Sequence, residues 1–106
     1  MNPYQPTRDF EAALAEYTGA RYAVALNSCT AALMLAVNYY CRFDAGRMIE
    51  IPTRTYVSVP MAIINAGAHP VLKHYQWNGC YQLKPLPVWD CARRFTSGMY
   101  VPGQFQ

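Results

Sequence analysis

A serine, a cysteine and a threonine stand next to one another at Ser28, Cys29 and Thr30, directly after the apolar run 22–26. The run has the length of a buried strand, and an apolar stretch typical of a helix follows it. At the start of a helix, free backbone N–H groups, the helix dipole and hydroxyl groups together favour an anion, most often a phosphate monoester. An ordinary Ser or Thr cap of the helix explains the same residues without a ligand. The loop is therefore a candidate phosphate site, with a simple cap as the alternative.

Two further loops carry residues that suit a flat, charged ligand. Tyr56 follows a second apolar strand and could stack on an aromatic ring, or else belong to the core. Asp90 ends the short strand predicted over 87–90, and a carboxylate at the edge of a buried sheet needs a partner because an unpaired buried charge is costly. That partner is either Arg93 or Arg94 in a salt bridge, or the protonated pyridine nitrogen of a pyridoxal phosphate cofactor.

The elements that must position these loops alternate between helices and strands. The order predicts an α/β fold with a parallel-type sheet and helical crossovers, in which ligands bind at the carboxyl ends of the strands. The second helix is apolar almost all round, so we expect it to be covered on more than one side. The predicted helices span 7–17, 29–40 and 56–66, and the predicted strands span 22–26, 48–51, 69–75 and 87–90.

Length and composition exclude several classes of protein. The 106 residues suffice for one small domain, and 53% are hydrophobic while only 14% are charged, against roughly 25% charged in soluble domains. Such a composition excludes intrinsic disorder, and it indicates either a poorly charged surface or a surface that is covered in part. No apolar run approaches the roughly 20 residues of a membrane span. The net charge of +3 comes from scattered Arg and Lys residues, so a nucleic-acid-binding face is not expected.

Cysteine usage and the N-terminus indicate a cytoplasmic chain. The first residues lack the charged-then-apolar pattern of a signal peptide. The four cysteines contain no CxxC spacing, so we expect reduced, mostly buried thiols and no metal site. They are Cys29, Cys41, Cys80 and Cys91.

Three stretches in this order resemble the DegT/DnrJ/StrS sugar aminotransferases, the perosamine-synthase-like branch of the fold-type I pyridoxal phosphate enzymes. They are 10–33, 51–71 and 88–93. The resemblance implies that residues 1–106 form a compact, partial pyridoxal-phosphate-binding domain, the N-terminal portion of the large domain of such enzymes.

The resemblance also implies roles for individual residues. The loop with Ser28, Cys29 and Thr30 binds the cofactor phosphate, Tyr56 stacks on the pyridine ring, and Asp90 pairs with the ring nitrogen. Arg93 stands where the family commonly has Gln or His, and it is expected to contact the cofactor as well.

Members of this family carry a catalytic lysine after a glycine-containing loop, and neither Lys73 nor Lys84 matches that motif. We therefore expect one half of a split or truncated aminotransferase. A second polypeptide brings the lysine and the C-terminal domain, and two such pairs form a dimer. The substrate implied is a keto-sugar nucleotide, with an amino acid as donor. The alternative is a lysine-free pseudoenzyme or assembly module that binds pyridoxal phosphate. A generic Rossmann-like nucleotide binder is disfavoured because no GxGxxG follows the first strand.

Overall fold

The computed structural model describes residues 2–106, which form helices and short strands in alternation. The mixed α/β class predicted from the sequence is confirmed. In chain order the elements are α1 (Gln5–Thr18), α2 (Cys29–Cys41), β1 (Met48–Pro52), α3 (Ser58–Asn65), β2 (His69–Lys73), β3 (Tyr81–Gln82) and β4 (Trp89–Asp90).

A β-α-β unit forms the centre of the fold. Strands β1 and β2 pair in parallel, with Met48 opposite His69 and Pro52 opposite Lys73, and α3 connects them. The buried residues of α3 follow the three- and four-residue spacing of one helix face; they are Val59, Ala62 and Ile63. In β1, Ile49 and Ile51 are completely buried. This unit confirms the predicted helical crossover and sets the position of the loops that follow β1.

Helix α2 packs against α3, and near its end the Tyr40 ring lies edge-on to Phe105 at 5.7 Å between centroids. Its buried residues, Leu33, Val37 and Cys41, recur every four positions and form a single stripe. Leu35 and Tyr39 on the other faces are about half exposed. Within residues 2–106, the expectation that α2 is covered on more than one side is met only near its end, where Phe105 packs, while Leu35 and Tyr39 stay half exposed.

The segment 22–26 is not a strand, which corrects the sequence-based prediction. Tyr22 and Val24 are 79% and 77% exposed. A strand needs a neighbour to bond with its backbone, and the described part of the chain places none beside this segment. One of its amides, that of Ala25, instead donates to the Glu11 carboxylate of α1 at 2.7 Å.

The fourth predicted strand exists, but it does not join the parallel sheet. As β4 it pairs antiparallel with β3, which lies in a stretch that the sequence predicted to be turns. Leu83, Leu86 and Val88 on this hairpin are almost completely buried. Reciprocal backbone hydrogen bonds between Glu50 and Lys84 attach the hairpin to β1. Burial of these apolar side chains in the core stabilises the hairpin, although its sequence is rich in turn residues.

The cysteines are all free, but they are not mostly buried. Cys41 is buried, Cys80 and Cys91 are partly buried, and Cys29 is exposed. The prediction of small buried thiols therefore holds only for Cys41. Within residues 2–106, no helix combines the length and apolar character that a bilayer span demands.

Candidate active site

Asp90 is a buried carboxylate at the end of β4. It is 7% exposed, and it is held by two neutral donors. The Tyr81 hydroxyl donates to Oδ2 at 2.7 Å, and the Ala92 backbone N–H donates to Oδ1 at 3.0 Å. The Cys29 thiol lies 4.0 Å from Oδ1. The carboxylate is therefore oriented on both oxygens.

Arg93 and Arg94 do not pair with Asp90. In the described chain the one ion pair within 4.0 Å joins Arg47 to Asp44 on the surface. The structural salt bridge considered from the sequence is therefore wrong. Asp90 carries a buried negative charge whose partners are neutral donors, which is an arrangement that favours binding of a cation beside it.

Tyr81 connects Asp90 to the loop that follows β1. The side chain is 3% exposed, its hydroxyl is also hydrogen-bonded to that of Thr55, and the Trp77 ring packs edge-on at 4.7 Å between centroids. Burial raises the pKa of Tyr81 above its ordinary value, and the hydrogen bond to Asp90 acts in the same direction. The phenol thus remains protonated and continues to donate to the carboxylate.

Sequence reasoning missed both Tyr81 and Thr55. Apolar and polar residues alternate over 81–83, but Val88 and Trp89 are both apolar, so the pattern does not predict the hairpin. Only the folded hairpin places Tyr81 opposite Asp90. Nothing in the sequence distinguishes Thr55 from its neighbours.

A cavity of about 420 Å³ opens beside Asp90. Its lining includes Arg54, Tyr56, Trp77, Tyr81, Asp90 and Arg93. Tyr56 is 75% exposed, so it is not a core residue, which was the alternative considered from the sequence. Tyr56, Asp90 and Arg93, three of the residues singled out from the sequence, thus share one cavity.

The start of α2 lies on the same side of the molecule and combines a cap with free donors. Ser28 is the N-cap, and its Oγ accepts from the Ala31 amide at 3.1 Å, which confirms the capping function. The Thr30 hydroxyl donates to that of Ser58 at 2.8 Å. The donors that remain at this end are the first-turn amides of Cys29 and Thr30, which have no carbonyl partner within a helix.

Contacts between side chains bring the three predicted loops together. Cys29 meets Asp90, and Thr30 meets Ser58 at the start of α3. The sulfur of Cys29 is partly desolvated and lies near the Asp90 charge, and both effects raise the pKa of the thiol. Cys29 is thus a neutral neighbour of Asp90 at physiological pH, not a thiolate nucleophile.

The sequence of this chain matches the model of the DegT/DnrJ/EryC1/StrS aminotransferase family over residues 1–86. The chain belongs to this family. The matched range includes Ser28, Cys29, Thr30 and Tyr56 and ends before Asp90, so the placement of Asp90 in the site rests on the structure.

Individual relatives agree with the family match. The chain is 34% identical over 93 residues to dTDP-3-amino-3,6-dideoxy-alpha-D-galactopyranose transaminase of Aneurinibacillus thermoaerophilus, an alignment that covers 88% of this chain and 25% of that protein. It is 42% identical over 64 residues to the spore coat polysaccharide biosynthesis protein SpsC of Bacillus subtilis, with 60% of this chain and 16% of that protein covered. It is 36% identical over 64 residues to GDP-perosamine synthase of Caulobacter vibrioides, with 60% and 17% covered.

The chain spans a quarter or less of the length of these relatives. No solved structure matches it at a significant level.

Proposed function

We propose that residues 1–106 are part of the pyridoxal-phosphate-binding domain of a fold-type I aminotransferase that acts on a keto-sugar nucleotide. Family membership and the named relatives support the reaction class and the sugar substrate. The observation that carries the proposal is Asp90, a buried carboxylate without a basic partner in the described chain, on the wall of a cavity.

The residues around this cavity fit the cofactor in size and charge. A volume of about 420 Å³ lies within the usual range of ligand pockets, roughly 300–1,000 Å³. Asp90 and the exposed Tyr56 ring line the cavity and match the basic ring nitrogen and the flat ring of pyridoxal phosphate. The start of α2, whose free amides match the phosphate, does not line the cavity but adjoins it through the contact of Cys29 with Asp90. Arg54 and Arg93 add positive charge at the same cavity, which favours an anionic ligand.

Asp90 holds a proton on the pyridine nitrogen in this proposal. The carboxylate is fixed by Tyr81 and Ala92, and it supplies the negative charge that keeps the nitrogen protonated. When bound, pyridoxal phosphate supplies the electron sink that amino transfer from an amino acid requires. Tyr81 retains its own proton, because burial raises its pKa, and it therefore does not neutralise Asp90.

Tyr56 and the start of α2 bind the rest of the cofactor. The exposed Tyr56 ring stacks on the pyridine face. The phosphate accepts hydrogen bonds from the amides of Cys29 and Thr30. The Ser28 hydroxyl, which accepts from Ala31 in the cap and donates to the Asn27 side-chain oxygen at 3.5 Å, turns its proton to the phosphate as a further donor. The Thr30 hydroxyl is engaged with Ser58, so its amide is the donor we assign to the phosphate. Arg93 lies at the cavity as a further contact.

The catalytic lysine comes from a second polypeptide in this proposal. The two lysines of the chain, Lys73 and Lys84, both lie in the described part and neither lines the cavity beside Asp90. Large apolar side chains such as Tyr22 and Leu35 are exposed, and a partner would cover them. We expect two such pairs to assemble as a dimer in the cytoplasm.

A titration of the chain with pyridoxal phosphate, followed by Trp77 and Trp89 fluorescence, tests the assignment of Asp90. We expect Asp90→Asn to weaken binding at least about tenfold, because the buried charge opposite the ring nitrogen is lost. Asp9→Asn on exposed α1 is the matched control and should leave binding unchanged. Equal binding by the two variants, with the fold of each verified by circular dichroism, would remove Asp90 from the site.

A parallel pair of variants tests Tyr56. Tyr56→Ala should weaken binding, whereas Tyr22→Ala, which removes an equally exposed ring elsewhere, should not. If both ring deletions have the same effect, Tyr56 does not stack on the ligand.

The absence of a lysine at the cavity also favours a second candidate function, a lysine-free module that binds pyridoxal phosphate without catalysis. Both candidates predict the same titration. The two candidates predict different native assemblies, because only the aminotransferase requires a partner polypeptide that supplies a lysine.

A further inference from the structure

Two cysteines, Cys80 and Cys91, adjoin the last residue pair at the open end of the hairpin. Tyr81 is opposite Asp90, so continuing the register by one residue sets Cys80 opposite Cys91. Leu83 donates its amide proton to the carbonyl of Val88 at 2.9 Å. Because hydrogen-bonded and non-hydrogen-bonded pairs alternate along an antiparallel ladder, Cys80 and Cys91 fall on a non-hydrogen-bonded position.

That position suits a disulfide. At non-hydrogen-bonded pairs the Cα atoms lie about 4.5 Å apart and the side chains are closest. A disulfide requires Cα atoms roughly 4.4–6.8 Å apart. The two thiols also interact in the reduced chain. Burial is the largest cause of the raised pKa of Cys91, and the neighbouring Cys80 side chain raises it further.

Access from the solvent sets the order in which the two thiols react. Cys80 lines a second open cavity, of about 240 Å³, together with Lys84 and Trp89. The pKa of Cys91 is raised from 9.0 to about 12, so its thiolate is scarce in the resting chain. Of these two thiols, a dissolved reagent therefore meets Cys80 first through the cavity, and Cys91 is suited to react second within the protein.

We propose that Cys80 and Cys91 are a redox-active dithiol, which low-molecular-weight disulfides such as oxidised glutathione convert reversibly into a cross-strand disulfide. Cys80 loses its proton to solvent, and its sulfur attacks one sulfur of glutathione disulfide. The S–S bond of the reagent breaks, and one glutathione leaves as a thiolate. Cys91 then loses its proton, attacks the Cys80 sulfur and expels the second glutathione. Two protein thiols are oxidised, and one glutathione disulfide is reduced to two thiols.

A metal does not explain this pair of cysteines as well. Thiolate metal sites require three or four ligands. Within residues 2–106, no group of three or more His, Cys, Asp or Glu side chains is arranged to hold a metal ion. Two thiols that interact with each other, without a third ligand, favour disulfide exchange.

A disulfide between Cys80 and Cys91 would affect the candidate site, because it lies next to the contact between Tyr81 and Asp90. Cys80 and Cys91 are adjacent in sequence to Tyr81 and Asp90, whose side chains are hydrogen-bonded. A bond at the open end of the hairpin restrains the two short strands that hold this contact. Oxidation should therefore raise the midpoint of thermal unfolding, by about 5 °C or more.

The test is mass spectrometry of the full chain, reduced and then incubated with oxidised glutathione. We expect the loss of two hydrogen atoms per monomer. Digestion with chymotrypsin, which cleaves after Tyr81 and Trp89, should then yield peptides joined through Cys80 and Cys91. Cys41→Ser is the matched control at a buried thiol and should form the same bond.

The single variants separate the two steps. Cys91→Ser should accumulate one glutathione on Cys80, whereas Cys80→Ser should form no internal disulfide and react more slowly. A bond that joins Cys29 to either residue, a wild-type chain that retains glutathione on Cys80 without release, or the absence of any internal bond would overturn the proposal. None of these outcomes depends on pyridoxal phosphate, so the test is independent of the proposed function.

Discussion

At the scale of single residues, Asp90 is the feature on which the site depends. Its carboxylate is buried, and the Tyr81 hydroxyl and the Ala92 amide satisfy it in place of an arginine. The sequence alone identified Asp90 through its position after an apolar strand. It could not decide among the partners, because Tyr81 is brought to Asp90 by a hairpin and not by proximity in the chain.

Replacement of Tyr81 by phenylalanine removes one donor from this carboxylate and should lower the free energy of unfolding. Hydrogen bonds to charged groups contribute about 1.5–3 kcal/mol, so we expect a loss of that size. Urea denaturation measures it. Tyr22→Phe, at a residue that is 79% exposed, should change stability by less than about 0.5 kcal/mol. Equal losses in the two variants would mean that the bond to Asp90 contributes nothing to stability.

The raised pKa of Cys91 predicts that stability falls in alkaline solution. The thiol ionises near 9.0 in the unfolded chain and at about 12 in the folded one. Above pH 9 the unfolded state therefore binds fewer protons than the folded state, and the free energy of unfolding decreases as the pH rises towards 12. Tyr81, whose pKa is also raised, acts in the same direction above its ordinary value.

Urea denaturation midpoints, measured under reducing conditions from pH 9 towards pH 12, check whether the free energy of unfolding falls. Cys91→Ala should show a shallower decline than the wild type, whatever its stability at neutral pH. The same slope in both proteins would refute the assignment to Cys91.

At the scale of elements, the β-α-β unit was predictable and the hairpin was not. Strand β1 ends at Pro52 and β2 begins at His69, as the sequence predicted, and the α3 pattern repeats at helical spacing. Strand β3 is two residues long within a polar stretch, so its pairing depends on distant contacts with β1. The segment 22–26 has the composition of a strand, but pairing requires a neighbour that residues 2–106 do not provide.

Two adjacent isoleucines in α3 test the packing of the unit. Ile63 is completely buried and Ile64 is 52% exposed. Ile63→Ala should lower the free energy of unfolding by roughly 2–5 kcal/mol, because it leaves a cavity against the sheet. Ile64→Ala should cost less than about 1 kcal/mol. Urea denaturation of the pair checks this, and a larger loss at Ile64 would show that the buried face of α3 is assigned incorrectly.

At the scale of the whole molecule, the surface is unusually apolar for a chain of this size. Only 14% of residues are charged, and exposed apolar side chains occur on α1, on the segment 22–26 and on α2. The chain also corresponds to a quarter or less of its relatives' length. The exposed apolar side chains support the proposal that another polypeptide packs on this one and completes the site.

The most direct measurement is native mass spectrometry of the assembly isolated from its source, followed by borohydride reduction and peptide mapping of the cofactor. We predict that the chain travels with a second polypeptide and pyridoxal phosphate, and that reduction fixes the cofactor to a lysine of that partner. Attachment to Lys73 or Lys84, or an assembly that contains no pyridoxal phosphate, would contradict the account.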